Sequence, residues 1–309
     1  MDAAYRALLD REPDPTGRAH YIRGLRTGGM TREGVIRQLG ESDECARLGL
    51  QRPGLQIHTR RFADSAAAVP AGIRPVCFLH TMKCGGTALT HGLSTLADPW
   101  PRMIEVWVDQ LVCMPRPLLE RTMLITGHLP YPVIELLPAA TVLLTVVREP
   151  VARTLSHLAH LRTHGSRPDV TIDEWVGSDE WRPSWVNYQA RQLASDVPVG
   201  HAWLGQYPEG ATLQALIDAP FAVDDAALAD RAAERLATIE VVGVAEDLDA
   251  VLRRVAELWQ KPEPPPLRRT NVSLAPMAAD RLPDALLDEI RRGTAVDAQL
   301  HQLARARAG

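Results

Sequence analysis

Four short apolar runs, separated by amphipathic stretches, constrain the fold of this chain more than any other feature of its sequence. The runs are Val76–Leu79, Thr122–Thr126, Thr141–Val147 and Ile239–Val244. Their length and their content of β-branched residues predict strands that are buried on both faces. Helical segments between such strands are typical of a parallel sheet with helical crossovers. The sequence therefore predicts an α/β fold in which helices flank a parallel sheet.

The first 50 residues follow a different pattern. Their apolar residues recur at helical spacing between turn-forming stretches, which predicts three short helices, with Thr31 as the N-cap of the third. Residues 51–74 have no clear period and contain Pro53 and Pro70, which favours a linker. The expected organisation is a small helical domain over residues 1–50, a linker over 51–74 and an α/β domain over 75–309.

Composition excludes some classes of function. The chain has 309 residues with 34 Lys and Arg against 38 Asp and Glu, a net charge of −4, which argues against a nucleic-acid binder. Any anion site must therefore be local. No apolar window approaches the ~18 residues of a membrane span, and the first residues carry acids, so we expect a cytoplasmic protein without membrane association. The four cysteines form no CxxC pair and are expected to be reduced thiols.

The segment His80–Thr87, HTMKCGGT, has the features of an anion-binding loop. It lies between the first predicted strand and a helical stretch, where backbone N–H groups and a helix N-terminus can bind a phosphate or sulfate. The candidate binding residues are Lys83, Cys84, Gly85, Gly86, Thr87 and Ala88. In a nucleotide triphosphatase loop the lysine follows the last glycine, whereas Lys83 precedes both glycines. This order disfavours a nucleotidase.

A second motif, REPVARTLS, begins at Arg148, directly after the third predicted strand. Ligands of open α/β sheets bind at the carboxyl ends of the strands. Pro150 suits the first turn of a helix, so Ser156 is expected near the second turn, where it could bind the same phosphate as Arg148. A nucleotidase would need an aspartate at the end of this strand to hold magnesium.

These two motifs, in this order, resemble those of sulfotransferases that use 3'-phosphoadenosine-5'-phosphosulfate (PAPS), especially the carbohydrate-type and bacterial members. Their loops read approximately H-I-P-K-T-G-G-T-S and R-D-P-V-x-R-x-x-S-H. The resemblance implies a P-loop-like α/β fold, sulfuryl transfer from PAPS to an acceptor hydroxyl, release of adenosine 3',5'-bisphosphate (PAP), and no metal. It implies that Lys83 binds the 5'-phosphate and stabilises the bridging oxygen, and that Arg148 and Ser156 bind the 3'-phosphate. Met82, Cys84, Ala88 and Glu149 depart from the pattern.

The same resemblance suggests further site residues. His128, in a Gly-His pair after a predicted strand, matches a histidine that serves as the base, and carboxylates between Glu105 and Asp109 are the alternative. The segment NYQARQL resembles N-x-Q-T-R-x-L of bacterial members, so Gln189 and Arg191 are candidate acceptor contacts. A basic loop matches one that covers the 3'-phosphate and adenine, and its residues are Arg268, Arg269, Thr270 and Asn271.

Several alternatives stay open. A P-loop nucleotide kinase or GTPase and a non-catalytic PAP-binding homologue are the competing functions. His157, His160 and His164 share a helical face, but no carboxylate or cysteine completes a metal site, so none is predicted. The acceptor is expected to be a saccharide or another small molecule, and a peptide tyrosine stays open. Residues 4–46 resemble a small helical bacterial domain of unknown function, and whether it binds a protein partner is open.

Overall fold

The computed structural model describes residues 11–30, 62–63, 69–106, 116–164, 169–195, 223–267 and 279–308, together with positions 5, 9, 35, 38, 39, 42, 44 and 111. The larger part of these residues forms an α/β unit around one sheet. Six residues for which the sequence makes a prediction lie outside the described residues: Thr31, Asp109, Arg268, Arg269, Thr270 and Asn271.

A six-stranded sheet forms the centre of the α/β unit. Its strands are β1 (Phe62–Ala63), β2 (Val76–Leu79), β3 (Arg102–Val106), β4 (Leu124–Gly127), β5 (Val142–Val147) and β6 (Val241–Val244). Their order across the sheet is β1-β3-β4-β2-β5-β6, in which β2 to β6 are parallel and the short edge strand β1 is antiparallel to β3. The predicted fold class is confirmed: a five-stranded parallel sheet is flanked by helices in a P-loop-like α/β fold.

The described helices are α1 (Pro15–Arg26), α2 (Gly86–Ala97), α3 (Arg116–Arg121), α4 (Pro150–His164), α5 (Ile172–Gly177), α6 (Tyr188–Ala194), α7 (Asp225–Thr238), α8 (Leu248–Leu258), α9 (Asp284–Gly293) and α10 (Ala295–Ala308). Short 3-10 turns cover Tyr131–Leu136, Arg182–Ser184 and Ala279–Arg281. Side chains that accept hydrogen bonds from first-turn N–H groups explain several of the helix starts, as at Asp14, Thr171, Asp224 and Asp247.

The core consists of two layers, one on each face of the sheet. Alternate residues of β2 point to opposite faces, so that Phe78 packs with Leu89 of α2 and Val255 of α8. Leu79 packs on the other face in a cluster that includes Leu193 of α6 and Leu300 of α10. Helices α2 and α8 therefore cover one face, and α6, α7 and α10 cover the other.

The described part of the N-terminal segment contains helix α1 and further helical positions at 5, 9, 35, 38, 39 and 44. Asp14 caps α1 by accepting a 2.8 Å hydrogen bond from the Gly17 N–H, and Pro15 occupies the first helical position. Tyr5 and Tyr21 meet edge to face at 6.0 Å, and the Arg11 guanidinium makes two hydrogen bonds to Glu44. Within the described residues, no helix is both long enough and apolar enough to cross a membrane.

Candidate functional site

The carboxyl ends of β2 and β5 meet where the chain changes face, a place that we call the crevice. The two strands are neighbours, but the helix after β2, α2, lies on one face of the sheet, whereas α4, after β5, packs against α9 and α10 on the other side. In open α/β sheets such a switch point is the usual position of a ligand. The predicted anion loop and Arg148 both lie at this point.

The anion loop between β2 and α2 is held in a compact conformation. Lys83 and Gly85 both have positive φ, 67° and 77°. For Lys83 this conformation costs about 1 kcal/mol, and such strain persists only where the surroundings determine it. A Cβ on Gly86 would lie 1.8 Å from His80 Nε2, and a Cβ on Gly85 would lie 2.7 Å from Leu248 Cδ1. The loop therefore approaches its neighbours so closely at these two positions that a residue with a Cβ would clash.

Three cationic side chains converge on the loop. Arg148 Nη1 donates to the Lys83 carbonyl oxygen at 3.0 Å, and the buried Arg153 donates through Nε to the Met82 carbonyl oxygen at 3.3 Å. Burial, followed by the charges of Arg153 and Arg148, lowers the pKa of Lys83. Among the described residues none of the three forms a salt bridge with a carboxylate. The crevice thus carries positive charge that an anion would neutralise.

Arg153 supports the loop, and the sequence analysis did not assign it a role. Its guanidinium donates to the Ser184 carbonyl oxygen at 2.7 Å, contacts His157 Nδ1 at 3.2 Å, and lies 4.0 Å from the centre of the Tyr188 ring. The position is the second arginine of the REPVAR motif, so the pattern contained a signal. Burial lowers the pKa of Arg153, and the positive charge of its guanidinium favours an anion nearby.

Helix α4 begins at Pro150, two residues after Arg148. Glu149 Oε1 and Oε2 accept hydrogen bonds from the N–H groups of Val151 and Ala152, at 3.1 and 2.7 Å. This glutamate therefore caps the helix, a role for which aspartate is common. Ser156 lies in the second turn as predicted and is half-buried, and its hydroxyl makes no hydrogen bond within the described part of the chain.

The residues of the loop that depart from the family pattern are largely buried. Cys84 has 1% of its surface exposed and Ala88 has 8%, whereas Thr87 is exposed in the first turn of α2. Burial raises the pKa of the Cys84 thiol to about 12. This thiol is therefore protonated at neutral pH and acts as a hydrogen-bond donor in the loop.

The candidate base, His128, lies beside the loop at the end of β4. Its Nδ1 is 2.9 Å from the His80 carbonyl oxygen, so Nδ1 carries the proton and Nε2 carries the acceptor lone pair. The two histidine rings stack at 4.3 Å. Burial lowers the pKa of His128, while the His80 carbonyl and then the Glu105 carboxylate act in the opposite direction. His128 is therefore in the neutral form that a base requires.

Glu105, the alternative base, lies close enough to interact electrostatically with His128. It is exposed, has a φ of 53°, and belongs to the irregular part of β3 between Met103 and Val106. Its N–H donates to Thr126 Oγ1 at 3.2 Å. Both candidates for the base are thus at the same edge of the sheet.

Gln189 and Arg191, the candidate acceptor contacts, are both buried. Gln189 is fully buried against the main chain of Arg148. Arg191 is also buried and donates to the carbonyl oxygens of Val186 and Pro183. Because hydrogen bonds to neighbouring backbone groups hold both side chains, we assign them to the support of the site. Contact of either side chain with an acceptor stays a prediction.

The predicted basic loop begins immediately after the described Leu267. The Leu267 N–H donates to Asp249 Oδ1 at 2.7 Å, and the Leu267 side chain packs against Gly92 of α2. The contribution of residues 268–271 to the site stays a prediction. In the described portion of the chain, no group of three or more His, Cys, Asp or Glu side chains is arranged to hold a metal ion.

The comparison with known families matches the N-terminal part of the chain. The family described as Domain of unknown function (DUF4214) matches residues 1–48, which agrees with the resemblance predicted for residues 4–46. A search of curated proteins gives no match to the chain. The family match therefore leaves the α/β unit outside the matched residues.

Proposed function

We propose that this protein is a PAPS-dependent sulfotransferase that transfers a sulfuryl group to the hydroxyl of a saccharide or another small-molecule acceptor. One observation carries the proposal. Lys83, Arg148 and Arg153 converge at the switch point of the sheet without a carboxylate partner among the described residues. A donor with two separate phosphate groups would supply the negative charge that neutralises these three cations.

The two motifs divide the binding of the donor between them. Lys83 and the N–H groups at the start of α2 would hold the 5'-phosphosulfate, because a lysine and a helix N-terminus both favour an anion. Arg148 and Ser156 would hold the 3'-phosphate, one from the end of β5 and the other from the second turn of α4. Residues 268–271 are proposed to cover this phosphate and the adenine.

Transfer requires a nucleophile in line with the bond that breaks. The acceptor oxygen forms a bond to sulfur while the bond from sulfur to the bridging oxygen of the 5'-phosphate breaks, and PAP leaves. Lys83 would stabilise the charge that develops on the bridging oxygen. The proton of the acceptor would pass to His128 Nε2, whose acceptor lone pair is fixed by the Nδ1 hydrogen bond to His80.

The first test is the thermal stability of the protein with PAP or with ATP and magnesium. A ligand at 100 times its dissociation constant should add about 2.7 kcal/mol to stability. We expect PAP alone to stabilise the protein and Arg148→Ala to remove this effect. The control is Arg254→Ala, since Arg254 is exposed on α8 and pairs with Glu257. Stabilisation by ATP and magnesium but not by PAP would instead identify a nucleotide kinase or GTPase.

A second test separates an enzyme from a non-catalytic PAP-binding homologue. With labelled PAPS and a panel of saccharide and small-molecule acceptors, we expect transfer by the wild type and none by Lys83→Ala. His128→Asn should retain PAP binding and lose transfer, whereas Glu105→Gln should retain both. The reverse result for these two variants would identify Glu105 as the base. PAP binding without transfer to any acceptor would favour the non-catalytic homologue.

A further inference from the structure

A single buried amide, Gln189 on α6, connects the two halves of the cationic crevice. Its Oε1 accepts a hydrogen bond from the Arg148 N–H at 2.8 Å, and its Nε2 donates to the Arg148 carbonyl oxygen at 2.9 Å. Cys84 Sγ lies 3.2 Å from the same Oε1 and donates to it. One side chain therefore contacts both the residue after β5 and the anion loop after β2.

The pairing satisfies main-chain groups that the sheet has released. The ladder between β5 and β6 ends at Val147, whose carbonyl oxygen accepts from the Ala245 N–H at 2.8 Å. The next residue, Arg148, turns away toward α4, and the two-point contact with Gln189 takes the place of a neighbouring strand. Main-chain donors and acceptors that are removed from water require such partners. The Arg148 main chain is therefore held at the carboxyl end of the sheet by a side chain.

Gln189 is itself fixed by the C-terminal helices. Asp297 Oδ2 and Oδ1 accept from the N–H groups of Gln189 and Ala190, at 3.2 and 2.8 Å, which caps α6. In return, Asn187 Oδ1 accepts from the N–H groups of Val296 and Asp297, at 3.0 and 3.4 Å, in the first turn of α10. This reciprocal capping ties the start of α6 to the start of α10 and leaves Gln189 little freedom.

We infer that Gln189 is a positioning residue for the donor site. It holds the Arg148 main chain and the Cys84 thiol at a fixed separation, so that Arg148 and Lys83 can bind the two phosphate groups of one donor. The inference rests on the proposed function for the identity of the ligand. The pair of hydrogen bonds between Gln189 and the Arg148 main chain can nevertheless be tested without any ligand.

The test uses the full chain with Gln189→Met, which keeps the volume of the side chain and removes its hydrogen bonds. Hydrogen exchange at the Arg148 amide, measured without ligand, should become at least about tenfold faster. The dissociation constant of PAP should rise about tenfold or more. The control is Trp259→Phe, which removes the hydrogen bond from Trp259 Nε1 to the Arg74 carbonyl oxygen, at the opposite end of β2 from the anion loop. This control should leave PAP affinity unchanged.

A double-mutant cycle tests whether Gln189 acts through Arg148. If it does, Gln189→Met should weaken PAP binding far less in an Arg148→Ala background than in the wild type. Additive losses, or a Gln189→Met variant that binds PAP like the wild type, would overturn the inference. Failure of the wild type to bind PAP would instead overturn the proposed function. In that case unchanged hydrogen exchange at the Arg148 amide in Gln189→Met would also reject a positioning role of Gln189 for Arg148. Accelerated exchange would support that role.

Discussion

Gly86 shows how a single residue determines the shape of the anion loop. A methyl group at this position would lie 1.8 Å from His80 Nε2, and His80 is confined between Phe78 and His128. We therefore expect Gly86→Ala to displace the loop, to lower the free energy of unfolding by about 1–3 kcal/mol and to abolish PAP binding. Chemical denaturation and calorimetric titration with PAP measure the two effects.

The control for this substitution is Gly177→Ala at the end of α5. A Cβ on Gly177 meets no atom within 4 Å. This variant should be as stable as the wild type and should bind PAP equally well. A Gly86→Ala variant that matched it in both measurements would show that the loop has more room than its contacts with His80 indicate.

At this scale the sequence predicted the residues of the loop better than the residues that support them. Lys83, Gly85, Gly86 and Arg148 stand next to predicted strands, so their common position at one edge of the sheet followed from the fold class. The role of Gln189 did not follow. It pairs with the main chain of a residue 41 positions earlier in the sequence, and no local pattern encodes that contact.

Helix α4 depends on Arg153 for its connection to the anion loop. Replacement by Met removes hydrogen bonds to the carbonyl oxygens of Met82 and Ser184 and should cost about 1–3 kcal/mol of stability. It also removes a charge from the crevice. We therefore expect Arg153→Met to weaken PAP binding as well as to lower stability, and Arg153→Lys to restore PAP binding only in part, because lysine cannot reach both carbonyls.

Arg235 offers a matched control at another helix. Its guanidinium donates to the carbonyl oxygens of Leu193 and Ser195 and lies 4.8 Å from the centre of the Tyr131 ring, much as Arg153 lies over Tyr188. Arg235→Met should reduce stability by a similar amount, measured by denaturation, and leave the affinity for PAP unchanged. Equal losses of PAP affinity in the two variants would mean that Arg153→Met weakens binding through general destabilisation.

The elements that the sequence missed are those whose patterns depart from a buried strand. β3 carries Arg102 and Glu105 and contains a register shift, so its residues do not form an apolar run. β1 has only two residues and lies in the segment predicted as a linker. The C-terminal helical segment is divided at Thr294 into α9 and α10, and this break allows the mutual capping of α10 and α6.

On the scale of the whole molecule, the net charge of −4 and the cationic crevice are compatible because the positive charge is local. The topology brings Lys83, Arg148 and Arg153 together at one edge of the sheet, where none of them forms a salt bridge with a carboxylate among the described residues. A basic net charge was therefore not needed to predict an anion site. What the composition could not indicate is that the anion site borders a set of buried and half-buried histidines.

Three of these histidines couple the stability of the protein to pH. Burial lowers the pKa of His80, His128 and His157, whereas in the unfolded chain each should titrate near about 6.5. Below that pH the unfolded chain binds protons that the folded chain does not, so the free energy of unfolding falls as the pH falls. Burial raises the pKa of Asp297, which acts in the opposite direction but involves a single group.

Urea denaturation of the wild type between about pH 7.5 and 5 should show this loss, with at most about 1.4 kcal/mol per pH unit for each histidine. His157→Asn keeps an acceptor for Arg153 and removes one titrating group, so the pH dependence should become weaker. Trp259→Phe removes a hydrogen bond to the Arg74 carbonyl oxygen and no histidine, so it should lower stability and keep the wild-type slope. An unchanged slope in His157→Asn would mean that His157 binds a proton in the folded protein, and that the charge of Arg153 does not keep it neutral.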